Sequence, residues 1–289
     1  MLTLVSAWTE AKRRLTAAGV GSPVIDARML VEAASGATRV DIITDPHRPF
    51  TADQMQAFER LVSRREAREP VSQILGVKGF WKIMVKVTAD VLTPRPETES
   101  ILDVVLAAFS PMSEFSVLDL GVGSGAILLA ILAERPGAVG LGVDVSEAAL
   151  AVARENALDL GLATRATLLP GDWTTDLKDG AFDLVVSNPP YIATAAIAGL
   201  APEVRDHEPH LALDGGPDGL NAYRRLSREI PRVLRPGGVF AVEIGFDQGP
   251  AVAALFSNGD IENLRVVRDL GDRDRVVTGM KKTFGQTEG

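Results

Sequence analysis

The period of the apolar positions changes twice along this 289-residue chain. In the front part, Val5, Trp8, Ala11 and Leu15 form one stripe at helical spacing. Leu30, Val31 and Ala34 form a second behind Ser22-Pro23, a cap and first-turn pair. Thr51 with Asp53 opens a third helix through Met55, Phe58, Leu61 and Val62, and the stripes read as the core of a small helical bundle. From Ile74 the pattern shortens to Gly76, Gly79-Phe80-Trp81 and an alternation over Met84, Val85 and Val87, which predicts a β-hairpin. Beyond it, strand-like runs at 116–120, 138–145, 166–169, 182–186, 239–243, 264–267 and 275–279 mostly have helical stretches between them. Apolar runs separated by helices predict a mostly parallel sheet covered on both faces. The last two runs are separated only by Asp269 to Asp274, too short for a crossover helix, so an antiparallel hairpin ends the sheet. The expected organisation is a helical domain over 1–73, a hairpin linker over 74–92 and an α/β domain over 93–289.

Composition narrows the chemistry. A hydrophobic share of 46% with 24% charged residues suits a folded protein with a sizeable core. The absence of cysteine excludes disulfides, thiolate metal sites and cysteine nucleophiles. Only His47, His207 and His210 offer imidazole, and His207-Glu208-Pro209-His210 lacks the spacing of a zinc signature, so no metal is expected. Met1 to Trp8 is briefly apolar but runs into Glu10, Lys12, Arg13 and Arg14, which fits neither a signal peptide nor a membrane span. A cytoplasmic monomer is the expectation. The net charge of −8 is uneven: residues 1–92 carry 13 Lys and Arg against 10 Asp and Glu, the remainder 17 against 28. An acidic catalytic part without a clustered basic face argues against nucleic acid as partner.

Two turns carry the chemistry. Val117 to Leu120 feeds Gly121-Val122-Gly123-Ser124-Gly125 and then a helix, a geometry in which backbone amides and a helix N-terminus face a ligand with no β-carbon in the way. The next strand ends at Val143-Asp144-Val145, where a carboxylate can accept from ribose hydroxyls. A nucleoside-containing cofactor follows. The spacing is G-x-G-x-G rather than G-x-G-x-x-G, and Asp119 stands two residues before the first glycine, placed to anchor the loop or to meet an ammonium group. S-adenosylmethionine fits this better than a dinucleotide. Gly171-Asp172-Trp173 follows the third strand, where Asp172 can accept from an adenine amine and Trp173 can cover the ring. Asn188-Pro189-Pro190-Tyr191 closes the fourth strand. The prolines fix the turn and turn its carbonyls outward, so the Asn188 and Pro189 carbonyls can hold both hydrogens of an –NH2 group. Tyr191 can stack on a planar acceptor.

At these residues the chain resembles the protein-(glutamine-N5) methyltransferases that modify peptide chain release factors. The resemblance covers nearly the full length: Val91 to Glu99 is similar to the family's junction, Asp119 to Gly125 to its donor loop, Asp144-Val145-Ser146 to its ribose-binding strand end, and Asn188 to Tyr191 to its acceptor motif. Glu208-Pro209, Ala212-Leu213, Gly215-Gly216, Asp218-Gly219-Leu220, Glu243-Ile244-Gly245 and Gln248-Gly249 match further segments. The resemblance implies a class I, Rossmann-like S-adenosylmethionine-dependent methyltransferase sheet behind a helical domain that helps dock the release factor. It also implies that Gly121 to Gly125, Asp144, Trp173 and Asn188 bind the donor, and that Asn188 to Tyr191 bind the glutamine of a Gly-Gly-Gln loop. The chain departs from the common pattern at Thr93, Val122 and Gln73. Arg95, between two prolines, is expected to pair with Glu97 or Glu99, or else to face the cleft and steer the substrate. The rival readings are a ribosomal-protein glutamine methyltransferase, whose junction resembles P-R-S-P where this chain has Pro94-Arg95-Pro96-Glu97, and an amino-directed DNA or RNA methyltransferase.

Overall fold

The computed structural model describes residues 1–257 and 259–283. The chain folds into two compact units, one of Met1–Val77 with Ala201–His207, the other of Lys78–Leu200 with the described residues from Glu208 on.

The first unit is helical: α1 (Leu4–Ala17), α2 (Pro23–Ser35), α3 (Arg39–Thr44), α4 (Ala52–Glu66) and α5 (Val71–Leu75). Three of these begin with reciprocal capping, Thr3 with Ser6, Thr38 with Asp41 and Thr51 with Gln54, each satisfying amides that a helix start leaves unpaired. The partner of Thr51 is thus Gln54, not Asp53. Ser22 makes no side-chain cap, and α2 starts on the fixed φ of Pro23 alone. Leu4, Ala7, Ala11 and Leu15 pack with Leu30, Val31, Phe58 and Val62 in a closed core. Arg65 is buried beside it. Its Nε donates to Asp26 at 2.8 Å and its Nη2 to Glu203 at 2.9 Å, while Arg68 holds the other Glu203 oxygen at 2.6 Å. The single helical turn Pro202–Arg205 is thereby tied into this unit. Arg65→Ala would leave two carboxylates without their shared buried partner and is expected to destabilise the unit by about 3 kcal/mol in denaturant unfolding, whereas an unchanged midpoint would show the pair to be idle.

The second unit opens with a two-stranded sheet of β1 (Val77–Phe80) and β2 (Ile83–Lys86). There follow α6 (Ser100–Ala108), β3 (Phe115–Leu120), α7 (Ala126–Glu134), β4 (Ala138–Asp144), α8 (Glu147–Asp159), β5 (Ala166–Pro170) and β6 (Phe182–Ser187). The chain then adds α9 (Asn221–Val233), β7 (Leu234–Glu243), α10 (Gly249–Phe256), β8 (Ile261–Arg268) and β9 (Asp274–Lys281). The seven-stranded order is β5-β4-β3-β6-β7-β9-β8, parallel from β5 to β7 and antiparallel at β7–β9 and β8–β9. This is the mixed sheet with a terminal hairpin that the pattern of apolar runs predicts. Helix α7 is apolar all round and buried from Ala126 to Leu132, as a helix between layers must be.

Two strands run longer than their apolar runs. β7 begins at Leu234, ahead of Pro236-Gly237-Gly238, because its ladder with β6 skips from Phe182–Leu234 to Leu184–Val239 and the extra residues sit in that irregularity. β8 spans a similar shift around Asn263, whose φ is 55°. The connection that matters most is the reversal at β3. Strands β4 and β5 step away on one side of it and β6 returns on the other, which opens a crevice at the carboxyl ends of β3 and β6. Among the described residues, no helix is long and apolar enough to cross a membrane.

Candidate active site

That crevice holds a cleft of about 490 Å³, within the usual range for a small-molecule site. Its floor is the turn after β3. Gly121 and Val122 donate their amides to the Val143 carbonyl at 2.9 and 3.1 Å, and Gly123 donates to Asp144 Oδ2 at 2.9 Å. The other Asp144 oxygen takes the Ser146 amide at 2.9 Å, so the carboxylate is locked facing the turn. Gly125 caps α7 at φ 82°, and a Cβ there would lie 3.0 Å from Leu129, which restricts this position to glycine. Trp173 lines the cleft at φ 55°, a strained backbone for a bulky side chain, and its ring lies over Gly121. Asp172 beside it is exposed, oriented by Arg225 Nη1 at 2.7 and 2.8 Å.

Asp119 lies behind the turn and outside the cleft lining. Its Oδ2 accepts the Leu128 amide inside α7 at 3.1 Å, and its Oδ1 is buried with no hydrogen bond among the described residues. Burial pushes the carboxyl up to about 7, against the pull of the Leu128 amide.

The acceptor turn sits one strand away at the same level. Leu120 and Ser187 are register partners, and Ser187 Oγ donates to the Leu120 carbonyl at 2.7 Å, so Gly121 and Asn188 leave the sheet side by side. Asn188 Nδ2 donates to Thr98 Oγ1 at 3.2 Å, which fixes the plane of the amide and leaves Oδ1 as its free acceptor. Asn188 and Pro190 line the cleft, and Pro189 is buried beneath them. The stacking surface expected of Tyr191 is not among the lining side chains. Its ring packs against the core and its hydroxyl donates to Glu243 Oε1 at 3.3 Å. Burial raises the phenol above its ordinary value, with the Glu243 charge adding to the effect.

The segments around this turn close it from behind. Ile192 exchanges backbone bonds with Leu213 and Gly215 at 3.0 and 2.8 Å. Gln248 Nε2 donates to the Tyr191 and Gly219 carbonyls at 3.0 and 3.3 Å, while its Oε1 takes the Gly245 amide at 2.9 Å. A Cβ on Gly219, at φ 75°, would stand 2.4 Å from the Tyr191 carbonyl oxygen. Arg95 pairs with the buried Glu208 at 2.5 Å, not with Glu97 or Glu99, and Glu99 instead accepts the Trp81 amide at 2.8 Å. Arg95 is outside the cleft lining, to which its neighbour Pro94 belongs.

Of the residues singled out in the sequence, Gly121 to Ser124, Asp144, Asp172, Trp173, Asn188 and Pro190 meet around one cleft. Gly125, Asp119 and Tyr191 support it from outside, and Pro189 is the buried link of the turn between the lining residues Asn188 and Pro190. Sequence reasoning missed Phe80, Leu92, Thr98, Ile127 and Leu211, which stand among the other wall residues. Only Thr98 carried a signal, a hydroxyl inside the proline-rich junction.

Comparisons with known proteins place both parts of the chain in known families. A family model described as PrmC N-terminal domain matches residues 6–76, and one described as Methyltransferase domain matches residues 112–263. The release factor glutamine methyltransferase of Caulobacter vibrioides is 62% identical over 280 residues, 97% of each chain. That of Cereibacter sphaeroides is 46% identical over 265 residues, 92% of this chain and 94% of its own. A solved methyltransferase from Pyrococcus furiosus aligns at a TM-score of 0.53 and 18% identity over 76% of this chain and 100% of its own, a likeness of fold alone. Near-full-length identity of this order, on a sheet whose adjacent strand ends carry both motifs, means that the chain belongs to the release factor glutamine methyltransferase family.

Proposed function

We propose that this protein transfers a methyl group from S-adenosylmethionine to the side-chain nitrogen N5 of the glutamine in the Gly-Gly-Gln motif of peptide chain release factors. The observation that carries the reading is the pairing of Leu120 with Ser187, which sets the glycine turn and Asn188 at one level of the sheet. The residues present suit the donor. The turn offers backbone with no side chain at Gly121 and Gly123, Asp144 offers a fixed carboxylate for ribose hydroxyls, and Trp173 offers a ring face beside Asp172 for adenine. When bound, S-adenosylmethionine supplies an electrophilic methyl group on a sulfonium.

An amide nitrogen is a poor nucleophile because its lone pair is delocalised into the carbonyl. The protein's task is therefore to orient and polarise it in a dry site rather than to supply a strong base. Asn188 does the first, since its Nδ2 is committed to Thr98 and its Oδ1 remains to accept one amide hydrogen. The Pro189 carbonyl, on a residue with fixed φ, takes the second. We assign docking of the release factor to the helical unit, where Val40 and Ile43, three residues apart on α3, are 64% and 69% exposed.

The test is a substrate panel with methyl-labelled S-adenosylmethionine: a release factor, a ribosomal protein with a candidate glutamine, and single- and double-stranded DNA. Label on the release factor alone is expected. Label on another substrate with none on the release factor would assign the chain to a different substrate class.

A further inference from the structure

Glu243 ends β7 and is 1% exposed, yet no role in the reading above uses it. Four elements face it. From the acceptor turn, the Tyr191 hydroxyl donates to Oε1 at 3.3 Å. From α9, the Tyr223 hydroxyl donates at 2.9 Å to the Glu243 backbone carbonyl and leaves the carboxyl alone. From β9, Arg275 lies near enough to favour the charged form, but its guanidinium is bonded to Asp269 at 3.1 Å and to the Ile244 carbonyl at 3.2 Å. From the short helical turn Pro96–Glu99 come Glu97, which opposes the charge, and Thr98, whose hydroxyl favours it. Oε2 is buried and makes no hydrogen bond.

A buried carboxylate with no ion pair of its own and an idle oxygen costs stability, and an apolar or amide side chain would fill the space at less cost. What the carboxylate holds here is the Tyr191 hydroxyl, with the Thr98 hydroxyl close by. Thr98 Oγ1 receives the Asn188 amide hydrogen at 3.2 Å, so its own proton is free to turn elsewhere, and the hydroxyl lies near enough to Glu243 to favour the charged carboxylate. We propose that Glu243 is a positioning residue for methyl transfer: ionised beneath the acceptor turn, it fixes Tyr191 directly and the Asn188 amide through Thr98. This rests on the reading that Asn188 receives the substrate glutamine. Once protonated, one carboxyl oxygen becomes a donor and the charge that orders the hydroxyls is gone, which leaves a single, weaker acceptor between them. Burial places this change at about pH 7, with Thr98, Arg275 and Tyr191 pulling the value down and Glu97 pushing it up.

The test is kcat/KM for a release factor between about pH 6 and 9, the constant that reports groups of the free enzyme, for the wild type, Glu243→Gln and Asn188→Ala, with S-adenosylmethionine affinity measured by calorimetry. The wild type is expected to lose activity below about pH 7. Glu243→Gln should lie about 30-fold lower at pH 8, lack that acid limb, and bind S-adenosylmethionine within about twofold of the wild type. Loss of the limb in this variant separates Glu243 from Asp119, the other carboxyl raised to about 7. Glu243→Gln with wild-type kcat/KM and an unchanged limb overturns the proposal, and if Asn188→Ala is then inactive the glutamine reading still stands. An active Asn188→Ala removes both. Should Glu243→Gln fail to fold, Thr98→Val decides: a lower kcat/KM with a weakened acid limb supports the linkage, and a wild-type profile overturns it.

Discussion

Asn188→Ala is expected to lower kcat for methyl transfer by about 10³-fold, the scale seen when one preorganised polar contact to a reacting group is deleted. The side chain makes one hydrogen bond, to Thr98, and is only partly buried, so its removal should leave the fold intact. Alanine cannot accept the substrate N–H, and the glutamine amide would then be held by the Pro189 carbonyl alone, free to rotate away from the donor. Asn188→Asp is informative beside it. The shape is kept, but Thr98 faces a carboxylate oxygen in place of the amide donor, so its hydroxyl must turn round to donate. Both variants should bind S-adenosylmethionine within about tenfold of the wild type by calorimetry, which places the defect in the acceptor rather than the donor. Normal turnover by Asn188→Ala would remove the residue from the reaction.

Asp144→Ala should produce the opposite pattern. Its two oxygens hold the Gly123 and Ser146 amides at 2.9 Å each, and in the proposed complex they also take ribose hydroxyls. Losing them strands two backbone donors at about 1–3 kcal/mol each where water cannot replace them, and removes the sugar contact. An increase in KM for S-adenosylmethionine of about 10²-fold is expected, about 2.7 kcal/mol, with kcat at saturation within about threefold of the wild type. An unchanged KM would mean that the turn holds its shape and its ligand without this carboxylate.

Much of this arrangement is legible in the sequence because its carriers are local. A glycine turn between an apolar strand and a helix, and a proline-fixed tetrapeptide after another strand, announce themselves by composition and order. Their proximity follows from the parallel α/β topology, which puts all such turns on one edge of the sheet. What the residues did not disclose depends on partners far away in the chain. Arg95 stands 113 residues from Glu208, and Thr98 stands 90 from Asn188. Arg95 has closer carboxylates at Glu97 and Glu99, and the fold passes over both. Tyr191 was readable as an aromatic at the right place, but its hydroxyl is held by Glu243, a carboxylate 52 residues later at the end of β7. The start of β7 was hidden for a different reason. Pro236-Gly237-Gly238 has the composition of a turn, and only the irregular β6–β7 register lets it continue a strand.

The decisive experiment is peptide mass mapping of the cognate release factor, prepared unmethylated and incubated with this protein and S-adenosylmethionine. One added methyl group is expected on the side-chain nitrogen of the Gly-Gly-Gln glutamine, absent when Asn188→Ala replaces the wild type. A release factor left unmodified by protein that binds S-adenosylmethionine, or a methyl group mapped to another residue, would contradict it.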